Sequence, residues 1–420
     1  MAKLLVEKSG PLTGTVKVNG AKNSVLKLMA ASLLAEEACY IESVPELLDV
    51  EVMITLLESL GQVVKYDKEH ETIEIKPGSE LKCEAPYELI QKMRASFLVM
   101  GPLLARKKIA KVSMPGGCEI GARPIDLHLK GFQALGAEVT LGHGYIEAKA
   151  PEGLIGSEIY LDFPSVGATE NIMMAATMAK GQTLIQNAAK EPEIIDLANF
   201  LNEMGANVKG AGTDTIRVNG VKHLKGSRHQ TIPDRIITAT YMVAAAMTNG
   251  DITIENVVSS HVKPITAKLR EMGVTVEDED DRIRVISNGG LKAVDITTLP
   301  YPGFPTDAQA QFMALLSISE GTSVINETVF ENRFRHVAEI NRMGANVKIE
   351  GHSAVIQGVK GIQGTQVKAT DLRAGAALVL AGLVAEGITE IDDIYHIDRG
   401  YPQIENDLLS LGAKIRRIEE

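Results

Sequence analysis

Hydrophobic and polar positions along the chain follow one pattern that returns six times. Each copy has a leucine or methionine, then a glycine, then a short segment in which apolar and polar residues alternate. The copies begin at Leu60, Leu135, Met204, Met272, Met343 and Leu411, roughly 70 residues apart. Self-similarity at such a fixed spacing indicates a repeated structural unit.

An amphipathic helix is expected before each of these glycines. In residues 193–204, for example, apolar side chains fall at i, i+3, i+4 and i+7, which is the spacing of one helical face. The glycine then stands just beyond the helix, where a left-handed backbone conformation commonly ends it. The alternating residues that follow predict a strand.

A second kind of helix, earlier in each copy, is rich in alanine and almost free of charge. Clear examples are residues 24–34, 236–246 and 374–384. A helix that is apolar on nearly every face is buried, and a strand with β-branched residues follows it, as in residues 387–391. The predicted unit is therefore a strand, a buried helix, a strand, an outer helix and a two-stranded hairpin.

Six such units predict an α/β fold with two lobes of three units each. We expect one lobe from residues 21–230 and the other from residues 1–20 plus 231–420, with crossings near Gly20 and Gln230. The sixth unit has one hairpin strand where the others have two, so the opening strand, residues 3–7, is expected to supply the missing one. A cleft between lobes is a common place for a ligand, and we expect the active site there.

Composition narrows the class of protein. The chain has 420 residues, of which 45% are hydrophobic and 23% charged, as in soluble proteins of more than one domain. No run reaches the roughly 18 apolar residues of a membrane helix, and the first residues lack the apolar core of a signal peptide. The three cysteines form neither a disulfide framework nor a metal-ligand spacing. We therefore expect a cytoplasmic protein.

The net charge of −11 argues against nucleic acid or an anionic membrane as the main partner. A cleft can still be locally basic and bind a small anion. Aromatic residues make up only 4% of the chain and tryptophan is absent, so platforms for base stacking are not expected.

Residues 114–128 hold the most unusual segment of the chain. Three glycines and a proline surround Cys118, and Arg123 follows. Because glycine leaves the backbone free and proline removes a donor, the segment predicts a mobile loop rather than a helix or strand. A nearby guanidinium favours the thiolate, which is the nucleophilic form of cysteine. A surface turn with an incidental cysteine is the alternative.

Polar and charged residues stand at the predicted starts of the buried helices. Three of them are explained as ordinary helix caps: Ser165, Asp234 and Asp371. Three others are cations: Lys22, Arg94 and Arg373. A cation at a helix N-terminus is electrostatically unfavourable. Together with Arg333 and Arg399 on predicted loops, these cations indicate a receptor for phosphate and carboxylate groups.

These residues resemble the UDP-N-acetylglucosamine 1-carboxyvinyltransferase family of enolpyruvyl transferases. The resemblance covers essentially the whole chain and rests on residues 20–23, 93–96, 115–128, 165–169, 307, 331–334, 371–373 and 398–401. It implies the inside-out α/β barrel of that family. It also implies transfer of the enolpyruvyl group of phosphoenolpyruvate to the 3′-hydroxyl of UDP-N-acetylglucosamine with release of phosphate, the first committed step of peptidoglycan synthesis.

The resemblance implies a role for each matching residue. Cys118 would donate a proton and react with a fosfomycin-type epoxide, and Asp307 would take the proton of the sugar hydroxyl. The phosphoenolpyruvate anion would contact Lys22, Arg123 and Arg399. Residues expected near that anion are Asn23, Arg94, Arg333 and Arg373. Residues expected to bind the nucleotide sugar are Pro124, Ile125, Asp126, Leu127, Ser165, Val166, Gly167 and Val329, and Asp371 completes the substrate-binding set. No metal or organic cofactor is implied.

One departure and two alternatives accompany this interpretation. Where some members carry Lys-Val before Ser-Val-Gly, this chain has Phe163-Pro164, so a cation near the diphosphate is expected to be missing. A shikimate-using enolpyruvyl transferase would share the six units, but the Cys118 loop and residues 165–169 argue against it. A non-catalytic paralogue that senses the nucleotide sugar is disfavoured because the residues expected to act in catalysis are all present.

Overall fold

The computed structural model describes residues 2–114, 125–142 and 144–419. Within these ranges the chain divides into two compact units. The discontinuous unit contains residues 2–19 and 233–419, and the inserted unit contains residues 20–114, 125–142 and 144–232. Each unit has its own cluster of buried apolar side chains. Among the described helices, none combines the length and apolar character that crossing a membrane requires.

The strands of the described residues are short. In chain order they are β1 (Lys3–Glu7), β2 (Thr13–Lys17), β3 (Cys39–Glu42), β4 (Gln62–Asp67), β5 (Thr72–Pro77), β6 (Ile109–Ser113), β7 (Glu138–Gly142), β8 (Tyr145–Lys149), β9 (Glu158–Tyr160), β10 (Gln182–Gln186), β11 (Asn207–Lys209), β12 (Thr215–Asn219), β13 (Arg228–Gln230), β14 (Asp251–Glu255), β15 (Thr275–Asp278), β16 (Arg282–Ile286), β17 (Ile296–Thr297), β18 (Thr322–Asn326), β19 (Asn346–Glu350), β20 (Ser353–Gln357), β21 (Gln366–Lys368), β22 (Ile388–Asp392) and β23 (Lys414–Ile418).

Helices alternate with these strands. They are α1 (Lys22–Ala31), α2 (Leu48–Ser59), α3 (Tyr87–Lys92), α4 (Met100–Lys107), α5 (Asp126–Ala134), α6 (Val166–Ala176), α7 (Pro192–Glu203), α8 (Arg235–Met247), α9 (Lys263–Glu271), α10 (Gln309–Leu316), α11 (Val337–Arg342), α12 (Leu372–Gly382), α13 (Tyr395–Asp398) and α14 (Ile404–Ser410). In the same described ranges, four 3₁₀ segments span Ser32–Leu34, Arg94–Val99, Ser259–Val262 and Thr306–Ala308.

The strands of the described residues form six small sheets, three in each unit. Five have the same construction, in which one edge strand is parallel to its neighbour and the other pairings are antiparallel. These five are β2-β14-β16-β15, β13-β3-β5-β4, β9-β10-β12-β11, β17-β18-β20-β19 and β21-β22-β1-β23. The sixth, β6-β8-β7, has an isolated parallel bridge between Glu84 and Lys111 in place of the edge strand. The described residues are thus mixed α and β, and they form no closed barrel.

The glycine of the repeated phrase ends a helix in all six copies. Its backbone φ lies between +88° and +101°, in each case one residue beyond the helix's C-cap. A residue with a Cβ is strained there, which explains why glycine recurs. The predicted helix ends are confirmed.

The opening strand joins the end of the chain. In the sheet β21-β22-β1-β23, Leu5 lies opposite Glu390 on one side and Arg416 on the other. Both pairings are antiparallel. The prediction that this strand supplies the missing hairpin partner is confirmed.

Three apolar helices fill the core of the discontinuous unit. Every residue of α10 is buried, as is every residue of α8 and α12 after the first. These helices pack against one another, and small residues such as those at 244–246 allow close approach. Their starts carry Asp234, Asp307 and Arg373. The core therefore fixes the backbone from which these charged side chains extend.

Candidate active site

The described residues include most of the expected site. Three expected residues lie outside them: Cys118, Arg123 and Pro124. In the inserted unit are Lys22, Asn23, Arg94, Ile125, Asp126, Leu127, Ser165, Val166 and Gly167. In the discontinuous unit are Asp307, Val329, Arg333, Asp371, Arg373 and Arg399.

Asp307 is the centre of the polar residues in the discontinuous unit. It lies in the 3₁₀ turn before α10, where its side chain makes no cap. Oδ1 accepts a hydrogen bond from Arg333 Nη2 at 2.9 Å, and Oδ2 accepts from Arg373 Nη2 at 3.0 Å and Nε at 3.3 Å. Both arginines are 3% exposed, whereas the Asp307 side chain is 28% exposed. A partly open carboxylate thus holds two buried cations in place.

These contacts set the charge of Asp307. Burial by itself raises the pKa of the carboxyl, but Arg373 and Arg333 together outweigh it and hold the pKa well below its usual range. The carboxylate is therefore ionised and a weak proton acceptor while both arginines bind it.

Helix capping explains other acids, as predicted. Asp371 Oδ1 accepts from the backbone N–H groups of Arg373 at 2.8 Å and Ala374 at 3.0 Å. Ser165 and Asp234 cap α6 and α8 in the same way. Asp371 therefore acts on the site indirectly in this structure, because it fixes the start of the helix that carries Arg373.

Glu327 is a buried carboxylate that the sequence did not single out. It accepts hydrogen bonds from the hydroxyls of Thr298 at 2.9 Å and Thr306 at 3.0 Å. It also accepts from the backbone N–H groups of Val329 at 2.9 Å and Phe330 at 3.1 Å. Glu327 thus ties the turn beside Asp307 to the segment that contains Val329. Its only sequence signal is an acid after a strand, which is too common to indicate a role.

Lys22 begins α1 in the inserted unit and is nearly buried. Its Nζ lies 3.0 Å from Oδ2 of Asp49, which is in the first turn of α2 and is also buried. The ion pair explains how a lysine is tolerated at a helix N-terminus. Asn23 follows Lys22 on α1 and is half-buried.

His128 links the two segments expected to bind the nucleotide sugar. The Asn171 amide is oriented by Gly101 N–H, which donates to its Oδ1 at 2.7 Å, so its Nδ2 donates to His128 Nδ1 at 3.1 Å. Burial, with a smaller effect of Arg94, lowers the pKa of His128 to about 3. A Cβ at Gly167 would lie 3.2 and 3.3 Å from the imidazole ring, so residues 125–127 and 165–167 are neighbours.

Arg399 follows α13 and is half-buried. The neighbouring Asp398 pairs with Arg417 through two hydrogen bonds of 3.0 and 2.6 Å, which is a structural contact. Across residues 2–114, 125–142 and 144–419, no three His, Cys, Asp or Glu side chains are grouped so as to hold a metal ion.

Comparison with known sequences connects this arrangement to enolpyruvyl transfer. A family described as EPSP synthase (3-phosphoshikimate 1-carboxyvinyltransferase) matches residues 6–408. The UDP-N-acetylglucosamine 1-carboxyvinyltransferase 1 of Caldanaerobacter subterraneus subsp. tengcongensis is 64% identical over 416 residues, covering 99% of each chain. The UDP-N-acetylglucosamine 1-carboxyvinyltransferase of Finegoldia magna is 60% identical over 421 residues, covering 100% of this chain and 99% of that protein.

Solved structures share the fold at low sequence identity. The enolpyruvyl transferase NikO from Streptomyces tendae superposes with a TM-score of 0.90 at 24% identity, covering 99% of this chain and 98% of that one. An EPSP synthase from Acinetobacter baumannii superposes with a TM-score of 0.77 at 20% identity, covering both chains completely. The described structure therefore has the enolpyruvyl transferase fold.

Proposed function

The chain belongs to the UDP-N-acetylglucosamine 1-carboxyvinyltransferase family of enolpyruvyl transferases, and from that premise we propose its reaction. It transfers the enolpyruvyl group of phosphoenolpyruvate to the 3′-hydroxyl of UDP-N-acetylglucosamine and releases phosphate, at the start of peptidoglycan synthesis in the cytoplasm. The observation that carries the proposal is the pairing of one carboxylate, Asp307, with two buried arginines, Arg333 and Arg373.

The two arginines suit an anionic substrate. Guanidinium groups bind carboxylate and phosphate through paired N–H donors, and phosphoenolpyruvate carries both groups. Arg333 and Arg373 are buried beside a carboxylate that is partly open to solvent. In the proposed complex, Lys22, Arg123 and Arg399 contact the same substrate anion. The family's inside-out barrel of six units, three in each of the lobes 21–230 and 1–20 plus 231–420, supplies cations from both lobes.

The reaction needs one proton donor and one acceptor. In the addition, the Cys118 thiol gives its proton to C3 while the sugar 3′-oxygen bonds to C2 and gives its proton to Asp307. In the elimination, C3 loses a proton to the Cys118 thiolate and the C2–C3 double bond forms again. Phosphate leaves from C2 and takes the proton that Asp307 had accepted. Cations around the phosphate stabilise the charge that develops on it. Asp307 can act as the acceptor only after its pKa rises. We therefore propose that the substrate anion replaces some of the hydrogen bonds between Asp307 and the two arginines, Arg333 and Arg373.

The nucleotide sugar is placed against a different set of residues. In our proposal the nucleotide sugar is lined by residues 124–127 and 165–167, with Val329 on the other lobe. The contact of Gly167 with His128 brings the described residues of these two segments together. Phe163 occupies the position where some members have lysine. Backbone N–H groups and the remaining cations therefore bind the diphosphate. A fosfomycin-type epoxide would alkylate Cys118 because it resembles phosphoenolpyruvate.

Phosphate release tests the function and separates it from its rivals. The purified chain is incubated with phosphoenolpyruvate and, in parallel, with UDP-N-acetylglucosamine, with 3-phosphoshikimate, or with no acceptor. We expect release only with the nucleotide sugar. Release only with 3-phosphoshikimate would assign the chain to the shikimate reaction, and binding of the nucleotide sugar without any release would indicate a non-catalytic sensor.

A further inference from the structure

A small polar network lies inside the apolar core of the discontinuous unit. Tyr401 Oη is 2.8 Å from Thr240 Oγ1 on α8, 3.3 Å from Gln311 Nε2 on α10 and 3.4 Å from Arg373 Nη1 on α12. All four residues are at most 3% exposed. Buried hydroxyl and amide groups are costly unless they are paired, so a network at the junction of three apolar helices requires an explanation.

The donors and acceptors of this network can be assigned from chemistry. Arg373 Nη1 and Gln311 Nε2 can only donate, so they use the lone pairs of Tyr401 Oη. The phenolic proton must therefore point to Thr240 Oγ1. The hydroxyl of Thr240 in turn donates to the backbone oxygen of Ile236 at 2.9 Å. The chain of hydrogen bonds has one direction, and it ends with the phenolic oxygen facing the guanidinium.

We infer that Tyr401 is a positioning residue for Arg373, with Thr240 and Gln311 fixing the orientation of its hydroxyl. Arg373 has two occupied edges: Nε and Nη2 bind Asp307, and Nη1 binds Tyr401. In the reaction proposed above, the Asp307 edge exchanges partners with the substrate anion. The Tyr401 edge then remains as the contact that holds the guanidinium in the orientation the anion needs. The inference rests on the proposed function, since it names the anion that Arg373 receives.

One substitution isolates the hydroxyl. The Tyr401 ring centroid is 5.7 Å from Arg373 Cζ, so Tyr401→Phe keeps the ring beside the cation and removes only the oxygen. Thr240→Val removes the acceptor of the phenolic proton, and Thr240→Ser keeps it. Thr238→Val is the matched control, because Thr238 is buried on the same helix and donates to the backbone oxygen of Asp234 at 2.9 Å without contacting Tyr401.

The experiment measures kcat, the KM for each substrate and the unfolding temperature of the full chain and these four variants. We expect Tyr401→Phe and Thr240→Val to raise the KM for phosphoenolpyruvate about five- to tenfold, the effect of losing one buried hydrogen bond. The KM for the nucleotide sugar should change less than twofold. Thr240→Ser should restore the parent value, and Thr238→Val should retain it even if its unfolding temperature falls.

Two results would overturn the inference. In one, Tyr401→Phe and Thr240→Val lower the unfolding temperature but leave both KM values within twofold of the parent. In the other, the KM values for both substrates rise in Tyr401→Phe, Thr240→Val and the control Thr238→Val alike. That result would indicate a general loosening of the core. Failure of the proposed function looks different, because the parent chain would then release no phosphate from its two substrates. In that case the dissociation constants of phosphoenolpyruvate for the parent and for Tyr401→Phe, measured by calorimetry, still test the role of the hydroxyl.

Discussion

Asp307 Oδ2 binds Arg373 through two nitrogens of one guanidinium, Nη2 at 3.0 Å and Nε at 3.3 Å. A carboxylate held in this way is the same chemical group that the arginine would meet on a carboxylate substrate. Asp307 thus occupies the position of a ligand for Arg373. This ion pair therefore suppresses two properties at once in the structure described: the ability of Asp307 to accept a proton and the ability of Arg373 to bind another anion.

Asp307→Asn should separate these two functions. The amide keeps the shape but cannot take a proton, so turnover should fall at least about tenfold, which corresponds to ~1.4 kcal/mol in the transition state. The affinity for UDP-N-acetylglucosamine should change much less, since the bound ground state does not require proton transfer. Turnover and binding are compared with Asp214→Asn, an exposed acid in the other unit. Turnover within about twofold of the parent would remove Asp307 from the mechanism.

Lys22 should matter for both stability and chemistry. Because Lys22 and Asp49 form a nearly buried pair, Lys22→Met should lower the free energy of unfolding by about 3–5 kcal/mol, the usual result of removing one partner. The double variant Lys22→Met/Asp49→Leu should recover part of this loss, while turnover stays at least about tenfold below the parent in both. Urea unfolding and phosphate release measure the two effects. A double variant with normal turnover would show that Lys22 only balances the charge of Asp49.

The three cysteines should react very differently with a fosfomycin-type epoxide. Cys39 is fully buried, and burial raises the pKa of its thiol to about 11, so it has almost no thiolate at neutral pH. Cys83 is half-buried, stands between Lys82 and Glu84, and lacks the glycine-rich segment and the arginine that accompany Cys118 in the sequence. We expect mass mapping to find the label on Cys118 alone, and Cys118→Asp to escape labelling. Label on Cys39 or Cys83 with Cys118 unmodified would contradict the assignment.

Stability should depend on pH through His128. The pKa of this imidazole is about 3 in the folded chain and near 6.5 when unfolded, so the unfolded chain binds the proton more readily. The stabilisation from the neutral ring is therefore complete above pH 6.5 and is lost as pH falls towards 3. His128→Asn keeps an acceptor for Asn171 and should flatten the curve of unfolding free energy against pH in this window. The exposed His223, replaced in the same way, is the control for the loss of an imidazole at the surface.

Phe163→Lys should strengthen binding of the nucleotide sugar. Phe163 is 44% exposed, so a lysine can replace it without disturbing a core. An added cation near a diphosphate should lower the Kd about two- to fivefold at low ionic strength, and the gain should shrink as salt screens it. Phe163→Leu serves as the neutral control, and titration calorimetry at two salt concentrations measures the effect. An equal change in both variants would place the diphosphate elsewhere.

The features that the sequence predicted correctly depend on local rules. The glycine after each outer helix follows from the φ that a helix end requires, and the pairing of residues 3–7 with the last described strand follows from counting strands. Asp371 and Asp307 show that local rules do not predict the partner of every polar side chain. Both are aspartates at the start of a buried helix, yet one caps its helix and the other binds arginines. The difference lies in Arg373, 66 residues away from Asp307, and no local pattern contains that partner.

The same holds for the groups that the sequence did not reveal. Glu327, Gln311 and Tyr401 are ordinary polar residues in their own segments, and only their burial beside other elements gives them a role. Asp49 is separated from Lys22 by 27 residues and lies on a different helix. Predicting the partner of a buried polar group requires the packing of whole helices, because the apolar sequence of α10 indicates a buried helix but does not identify the partner of Gln311.

The position of β1 has a consequence for synthesis on the ribosome. Among the described strands β1 is made before all others, whereas both of its neighbours, β22 and β23, are made after all others. At about 5–20 residues per second, β1 waits on the order of 20–80 s before either partner emerges. During this interval its backbone groups are open to other nascent chains or to chaperones. The inserted unit, complete by residue 232, can fold meanwhile, whereas the sheet that contains β1 stays incomplete until residues 388–418 have been made.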